Sequence, residues 1–143
     1  MTEFTIEIAD RLRRAIGDIV RSIQEREDVP GGQIETLGIL VRDGAQSIAE
    51  LARRRRIRHQ SMSGTVAELE ARGWVTRSPD PADRRSVVVT ATDAGAAAID
   101  ESRQRRAGTI MGAAEQALTA EERAVLARVP ELFDKLGATI APH

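Results

Sequence analysis

The sequence predicts a mainly α-helical fold carrying one small β-hairpin, in the order α-α-α-α-β-β-α-α, and three observations carry that prediction. Apolar residues recur at spacings of three and four through the first 27 positions, the period of an amphipathic helix. Two Ser/Thr-x-x-Glu sequences, Ser47 with Glu50 and Thr119 with Glu122, have the form of capping boxes that open helices. Two stretches with β-branched content, Val75 to Ser78 and Ser86 to Thr90, flank a loop rich in Pro and Asp. At 143 residues the chain suits one domain with a real core and has no room for a second of ordinary size.

The first helix is expected from Phe4 to about Glu27, with Phe4, Ile8, Leu12, Ala15, Ile16, Ile19, Val20 and Ile23 as its apolar face. Asp28-Val29-Pro30-Gly31-Gly32 breaks it. A second helix follows near Gln33 to Asp43, with Ile34, Leu37, Leu40 and Val41 on one side, and Gly44 ends it. Ser47 then caps a short third helix, Ile48 to about Arg55, and Ile57 plugs the turn beyond it. The fourth helix begins at His59 or Gln60 and runs to Arg72, with Met62, Val66 and Leu69 facing inward and Gly73 as a left-handed stop. Trp74 is expected beneath the hairpin. Thr92 caps a fifth helix reaching about Ala117, and a sixth is expected over Ala120 to Leu136. Pro130 should kink or divide that last helix, and Gly137 should end it.

Composition removes several kinds of chemistry. Cysteine is absent, which excludes disulfides, thiol redox switching, thiolate metal sites and a cysteine nucleophile. Two histidines, His59 and His143, are too few and too far apart for an imidazole-rich metal site. With no nucleophile–base pair and no phosphate-cradling glycine loop, neither an enzyme nor a cofactor is expected. Aromatics at 2% give no stacking platform for single strands. No apolar run approaches ~18 residues and no signal-like start is present, so a cytoplasmic protein with no membrane partner is expected.

Charge is close to balanced at −1 overall but is unevenly placed. Between Ser47 and Thr90 lie nine arginines and five acids, so the middle is basic and the ends are acidic. The third and fourth helices with their tight turn read as a helix-turn-helix, locked by Ile48, Leu51, Ala52, Ile57, Met62, Val66 and Leu69. The residues expected to face outward at the start of the fourth helix are Gln60, Ser61, Ser63 and Gly64. Gln can pair with adenine in the major groove, and Ser with bases or phosphate. The helix amino terminus presents free amides to phosphate, and Arg53 to Arg56 and Arg58 supply charge beside it. The hairpin reads as a wing whose Arg84 and Arg85 can enter a minor groove, with Asp83 placed to orient a guanidinium. The candidate DNA-binding residues are therefore Arg58, His59, Gln60, Ser61, Ser63, Arg77, Asp83, Arg84 and Arg85.

The stretch LARRRRIRHQSMSGTVAELEARGWVTRSPDPADRRSVVVTATDAG resembles the core of the MarR family of bacterial winged helix-turn-helix transcriptional regulators. The carrying elements are Leu51-Ala52, the LEARGWV run from Leu69 to Val75, the DPADRR loop from Asp80 to Arg85, and Thr92 with Gly95. The resemblance implies a winged helix-turn-helix lobe over about 33–92, with dimerisation helices over about 1–28 and 93–140. It further implies a homodimer that binds double-stranded DNA at two half-sites about one helical turn apart. The fourth helix would lie in the major groove, and Arg84 or Arg85 in the minor groove with Asp83 holding the wing. Such regulators are commonly repressors relieved by a small-molecule effector, and Ile19, Ile23, Leu37 and Val41 are candidate pocket residues, core packing being the simpler reading of each. Two positions depart from the family pattern. Gly64 stands where a larger, frequently basic contact residue is common, so affinity is expected to lean on the wing. Arg55 stands at a position apolar in many members, so the inter-helix turn is expected to be looser or more exposed. The alternative reading is a dimeric winged-helix protein-interaction module without specific DNA recognition.

Overall fold

In the computed structural model, residues 2–142 are described and form α1 (Ile6–Gln24), α2 (Gly31–Asp43), β1 (Gln46–Ser47), α3 (Ile48–Arg55), α4 (His59–Ala71), β2 (Val75–Pro79), β3 (Val87–Ala91), α5 (Asp93–Ala117), α6 (Ala120–Leu126) and α7 (Val129–Ile140). Winged helix-turn-helix order is thus present: α3 and α4 followed by the β2–β3 hairpin. The chain divides within α5 into two units, one through Arg103 and one from Gln104. Among the described residues no helix is long and apolar enough to cross a membrane.

Helix starts follow the expected caps. The Ser47 hydroxyl accepts from the Glu50 amide at 3.1 Å while the Glu50 carboxylate accepts from the Ser47 amide at 3.3 Å. Thr119 and Glu122 repeat the reciprocal pair at 3.2 and 2.8 Å. Thr5 caps α1 through the Ile8 amide. Each such cap is worth about 1 kcal/mol.

Three features differ from the expectation. First, α2 begins at Gly31, because first-turn residues need no amide partner and the Gln33 and Ile34 amides reach the Pro30 carbonyl. Second, the hairpin gains a strand: β1 pairs antiparallel with β3 (Gln46 opposite Val89, Ser47 opposite Val88), giving the order β1-β3-β2. A two-residue strand has no period to read. Third, Gly137 does not end α7, whereas the division of the last helical stretch into α6 and α7 near Pro130 is as expected. Positive φ among glycines is confined to Gly44 and Gly73, and a glycine in ordinary helical geometry weakens a helix without stopping it.

The core of the first unit sits between the helices and the sheet. Leu37 and Leu40 of α2, Ile48, Leu51 and Ala52 of α3, Met62, Val66 and Leu69 of α4, Val75 and Val89 of the sheet and Ile99 of α5 are all buried in it. Each large aliphatic side chain so buried contributes roughly 1.5–3 kcal/mol of transfer free energy. By contrast, α1, α6 and α7 bury none of their residues. Phe4, Ile6, Ile19 and Val20 are exposed at and along α1. In the second unit, Val125, Leu126, Leu132, Leu136 and Ile140 are exposed.

Trp74 lies half-buried against the core, with the Arg72 guanidinium 5.1 Å from its ring centre. Its backbone forms a close junction with the start of α5. Gly73 turns the chain with φ 76°, as expected for the α4 stop. The Trp74 carbonyl accepts from the Thr92 amide at 3.0 Å, and the Thr92 hydroxyl donates to the Gly73 carbonyl at 2.7 Å. The same hydroxyl accepts from the Gly95 amide at 3.1 Å, capping α5.

A Cβ at Gly95 would fall 2.2 Å from the Trp74 carbonyl oxygen and 3.1 Å from Leu37 Cδ1. Because one obstacle is backbone and the other is packed core, Gly95→Ala is expected to destabilise the protein by about 3 kcal/mol or more, measured by urea denaturation.

Candidate nucleic-acid interface

The helix pair is locked by the expected residues. Leu51, Met62, Val66 and Leu69 are fully buried, Ala52 is buried at the crossing, and Ile57 packs half-buried on the core. The turn closes through the Ile57 amide on the Ala52 carbonyl at 3.1 Å, with Arg56 in the left-handed region at φ 53°.

Arg55 corrects the expectation of a loose turn. Its side chain is only 16% exposed. It donates to the Gly32 carbonyl at 2.9 Å, the Thr36 hydroxyl at 3.2 Å and the Glu35 carboxylate at 2.8 Å. A side chain at Gly32 would crowd this guanidinium, since a Cβ there would lie 3.2 Å from Arg55 Nη1. The position is stitched to α2 by polar bonds where an apolar residue would pack. Arg54 is likewise drawn back to α2, pairing with Asp43 at 2.6 Å. Hydrogen bonds from Arg42 and then Arg54 hold the Asp43 carboxyl down at about 2. Of the basic run, Arg53, Arg56 and Arg58 are exposed and have no carboxylate partner among the described residues.

The amino end of α4 carries Arg58 at the N-cap with no side-chain cap, leaving first-turn amides unclaimed by a capping side chain. His59, Gln60, Ser61 and Gly64 are exposed there, while Ser63 is half-buried. Ser63 lies one residue from the buried Met62 and three from the buried Val66, so it sits at the margin of the outer face. The Cβ position of Gly64 meets nothing within 4 Å.

The wing is a short loop held by its aspartates. Asp80 and Ser86 close it through the Asp80 amide on the Ser86 carbonyl at 3.0 Å. The Asp80 carboxylate accepts from the Ala82 amide at 2.9 Å, and the Asp83 carboxylate accepts from the Arg85 amide at 3.0 Å. Asp83 therefore shapes the loop backbone instead of orienting a guanidinium, because an aspartate's short side chain reaches the amide two residues on. Arg84 and Arg85 are exposed and make no ion pair among the described residues. Arg85, Asp83, Ser86 and Val87 line one side of a cleft of about 310 Å³, and Ile48, Ala49 and His59 line the other. The structure thus brings His59, Asp83 and Arg85 together, with Arg58 at the α4 N-cap and Gln60 and Ser61 in its first turn.

Arg77 is placed differently. Its Nε and Nη2 donate to the two carboxylate oxygens of Glu70 at 3.2 and 2.9 Å. The Arg77 bond holds the Glu70 carboxyl below its ordinary range and Glu70 raises the guanidinium. Sequence reasoning did not single out Glu70. Its seven-residue offset from Arg77 crosses a helix end and a turn, so no helical spacing signals it. Of the candidate pocket residues, Leu37 is fully buried and Val41 packs on the core, whereas Ile19 is exposed and Ile23 half-buried. Among the described residues no group of three or more His, Cys, Asp or Glu is placed to hold a metal ion.

Comparisons with known proteins agree on one family. A model described as MarR family matches residues 27–86. An HTH-type transcriptional regulator of Mycobacterium leprae, described as uncharacterized, is 31% identical over 109 residues, covering 74% of this chain and 76% of that protein. The HTH-type transcriptional repressor NicR of Pseudomonas putida is 43% identical over 68 residues, 48% of this chain and 43% of NicR. Among solved structures, a putative transcriptional regulator of Pseudomonas aeruginosa superposes with TM-score 0.78 at 26% identity, covering 96% of this chain and 98% of that one. Mutant E. coli MarR complexed with operator DNA shares the fold, with TM-score 0.61, 23% identity and coverage of 90% and 94%. Bordetella bronchiseptica BpsR, whose DNA binding is regulated by 6-hydroxynicotinic acid, gives TM-score 0.58 and 27% identity over 94% and 97% of the two chains.

Two outcomes follow from this geometry. Gly64→Ala should raise stability by roughly 0.5–1 kcal/mol in thermal or urea unfolding, since the site is open and the helix gains propensity. The Asp43 carboxyl, depressed when folded, contributes stability that is present above its unfolded value near ~3.9 and is lost as pH falls through about 2. An acid unfolding series at low salt should therefore show a steeper loss between those limits for the wild type than for Asp43→Asn.

Proposed function

This chain belongs to the MarR family of DNA-binding transcriptional regulators and is not an enzyme; from that premise we propose that it is a homodimeric repressor reading a palindromic operator. The amino end of α4 lies in the major groove of each half-site, and the wing tip lies in the adjoining minor groove. The observation that carries this reading is the wing. Arg84 and Arg85 are exposed, free of any carboxylate, and mounted on a loop braced by Asp80 and Asp83. Uncompensated guanidiniums on a rigid tip suit the enhanced negative potential of a narrow minor groove. Arg53, Arg56 and Arg58 supply sequence-independent contacts to phosphate. Gln60 and Ser61 carry the base readout available to α4, while Gly64 contributes none. Asp83 acts by holding the loop, and Ser63 is at most a backbone or phosphate contact.

The dimer reading is supported by the apolar surface that α1 in the first unit, and α6 and α7 in the second, leave uncovered. Repression is the stated activity of NicR. A small-molecule effector is supported by BpsR, whose DNA binding responds to an aromatic acid.

The test is a gel-shift series on the DNA flanking the gene, at several salt concentrations. A specific complex at sub-micromolar protein with a steep salt dependence is expected. Replacing both Arg84 and Arg85 by Ala should weaken it by roughly 100-fold while size-exclusion chromatography still reports a dimer. Unchanged affinity in that variant would remove the wing from the mechanism, and the absence of any salt-sensitive complex would favour a protein-interaction module.

A further inference from the structure

We infer that Glu70 and Arg77 form a positioning pair that sets the angle of the wing on the recognition helix, and that Arg77 serves DNA binding through Glu70 instead of by touching DNA. The inference rests on the operator-reading proposal above. Its basis is where the pair sits. Glu70 lies in the last turn of α4, and Arg77 lies on β2 opposite Val89 of β3. Between them the chain passes through Arg72, Gly73 and Trp74, with Gly73 in the left-handed region. Along β2, Val75 is buried and every later residue is exposed. Arg77 shares the pleat face of Val75, so it is directed toward the helix side of the strand. The Glu70–Arg77 fork is thus the outermost hold of α4 on this strand before the hairpin projects into solvent.

Leverage makes that hold matter. From Arg77 to the wing tip the hairpin extends by two more strand residues and the loop, on the order of 10 Å. A 10° swing at Arg77 would therefore move Arg84 and Arg85 by roughly 2 Å, and binding groups must be placed within ~0.5 Å and 10–20° of their productive geometry. A two-point fork resists such a swing better than a single bond, because guanidinium and carboxylate are both planar. Exposed ion pairs add little to folding, and this one is about two-fifths exposed on each side. Its removal is therefore expected to leave stability nearly unchanged. The charges elsewhere point the same way: Arg58, Arg84 and Arg85 have no carboxylate to leave before meeting phosphate, whereas Arg77 would have to abandon two hydrogen bonds.

A charge-swap cycle on the full-length protein tests the inference. Arg77→Glu and Glu70→Arg alone should each lower operator affinity at least ~10-fold and erase the minor-groove protection at the wing in a hydroxyl-radical footprint. Tm and dimerisation should stay near wild type. The double variant Glu70→Arg/Arg77→Glu should return to within ~3-fold of wild-type affinity and restore the footprint, because the pair is remade with its ends reversed. As a milder probe, Glu70→Gln should weaken binding with the salt slope unchanged. The inference is overturned if the double variant stays as weak as Arg77→Glu, if Glu70→Gln binds more tightly, or if Arg77→Gln makes the salt slope shallower; each would mark a direct phosphate contact. It is also overturned if the single variants bind as wild type does. Failure of the wild-type protein to bind its operator would instead overturn the DNA-binding reading itself.

Discussion

The close backbone contact between Trp74 and Gly95 is the constraint on which the first unit depends. One carbonyl oxygen sits where any side chain at position 95 would have to go, and the Thr92 hydroxyl bonds both the Gly73 carbonyl and the Gly95 amide. Three elements are tied at this corner: the end of α4, the root of the hairpin and the start of α5. If the corner opened, α4 and the wing would lose their common reference, however well each was formed. Burial of the apolar core stabilises the unit, but being non-directional it does not set this angle.

Outward from that corner, Arg72 lies over the Trp74 ring, and the other eight arginines of the middle segment fall into three groups with different work. Arg54 and Arg55 reach back to Asp43, Glu35 and the α2 backbone, and so hold the helix pair together. Arg77 reaches sideways to Glu70 and braces the hairpin. Arg53, Arg56, Arg58, Arg84 and Arg85 reach into solvent with no carboxylate opposite them among the described residues. A local excess of positive charge is therefore an incomplete guide to a DNA-binding surface. The charges that remain after internal pairing are the ones available to phosphate, and they lie on α3 and the turn after it, at the start of α4 and on the wing tip. This sorting explains how a chain of net charge −1 can belong to a DNA-binding family.

Particular residues show where sequence reading succeeds and where it stops. Ser47 with Glu50, Thr119 with Glu122, Gly44 and Gly73 all act as their local chemistry requires. Each of those interactions closes within about three residues, so the pattern that causes it is contiguous in the chain. Asp83 braces the wing loop through the Arg85 amide two residues on, a backbone contact that residue type alone does not distinguish from a guanidinium pair. Gly137 looked like a stop only because residue type does not report φ.

What the sequence by itself determined is the order of elements, the caps, the inward stripes of α3 and α4, the basic wing and the family. All of these rest on periodicity or on contacts between near neighbours. Only the tertiary structure decided that β1 joins the hairpin, that Arg55 is anchored 23 residues back on Gly32, and that Arg77 faces Glu70 across the turn. The physical reason is range. A guanidinium finds whichever carboxylate or carbonyl the packed helices bring within about 3 Å, and that choice depends on the crossing of whole elements, which no local spacing encodes.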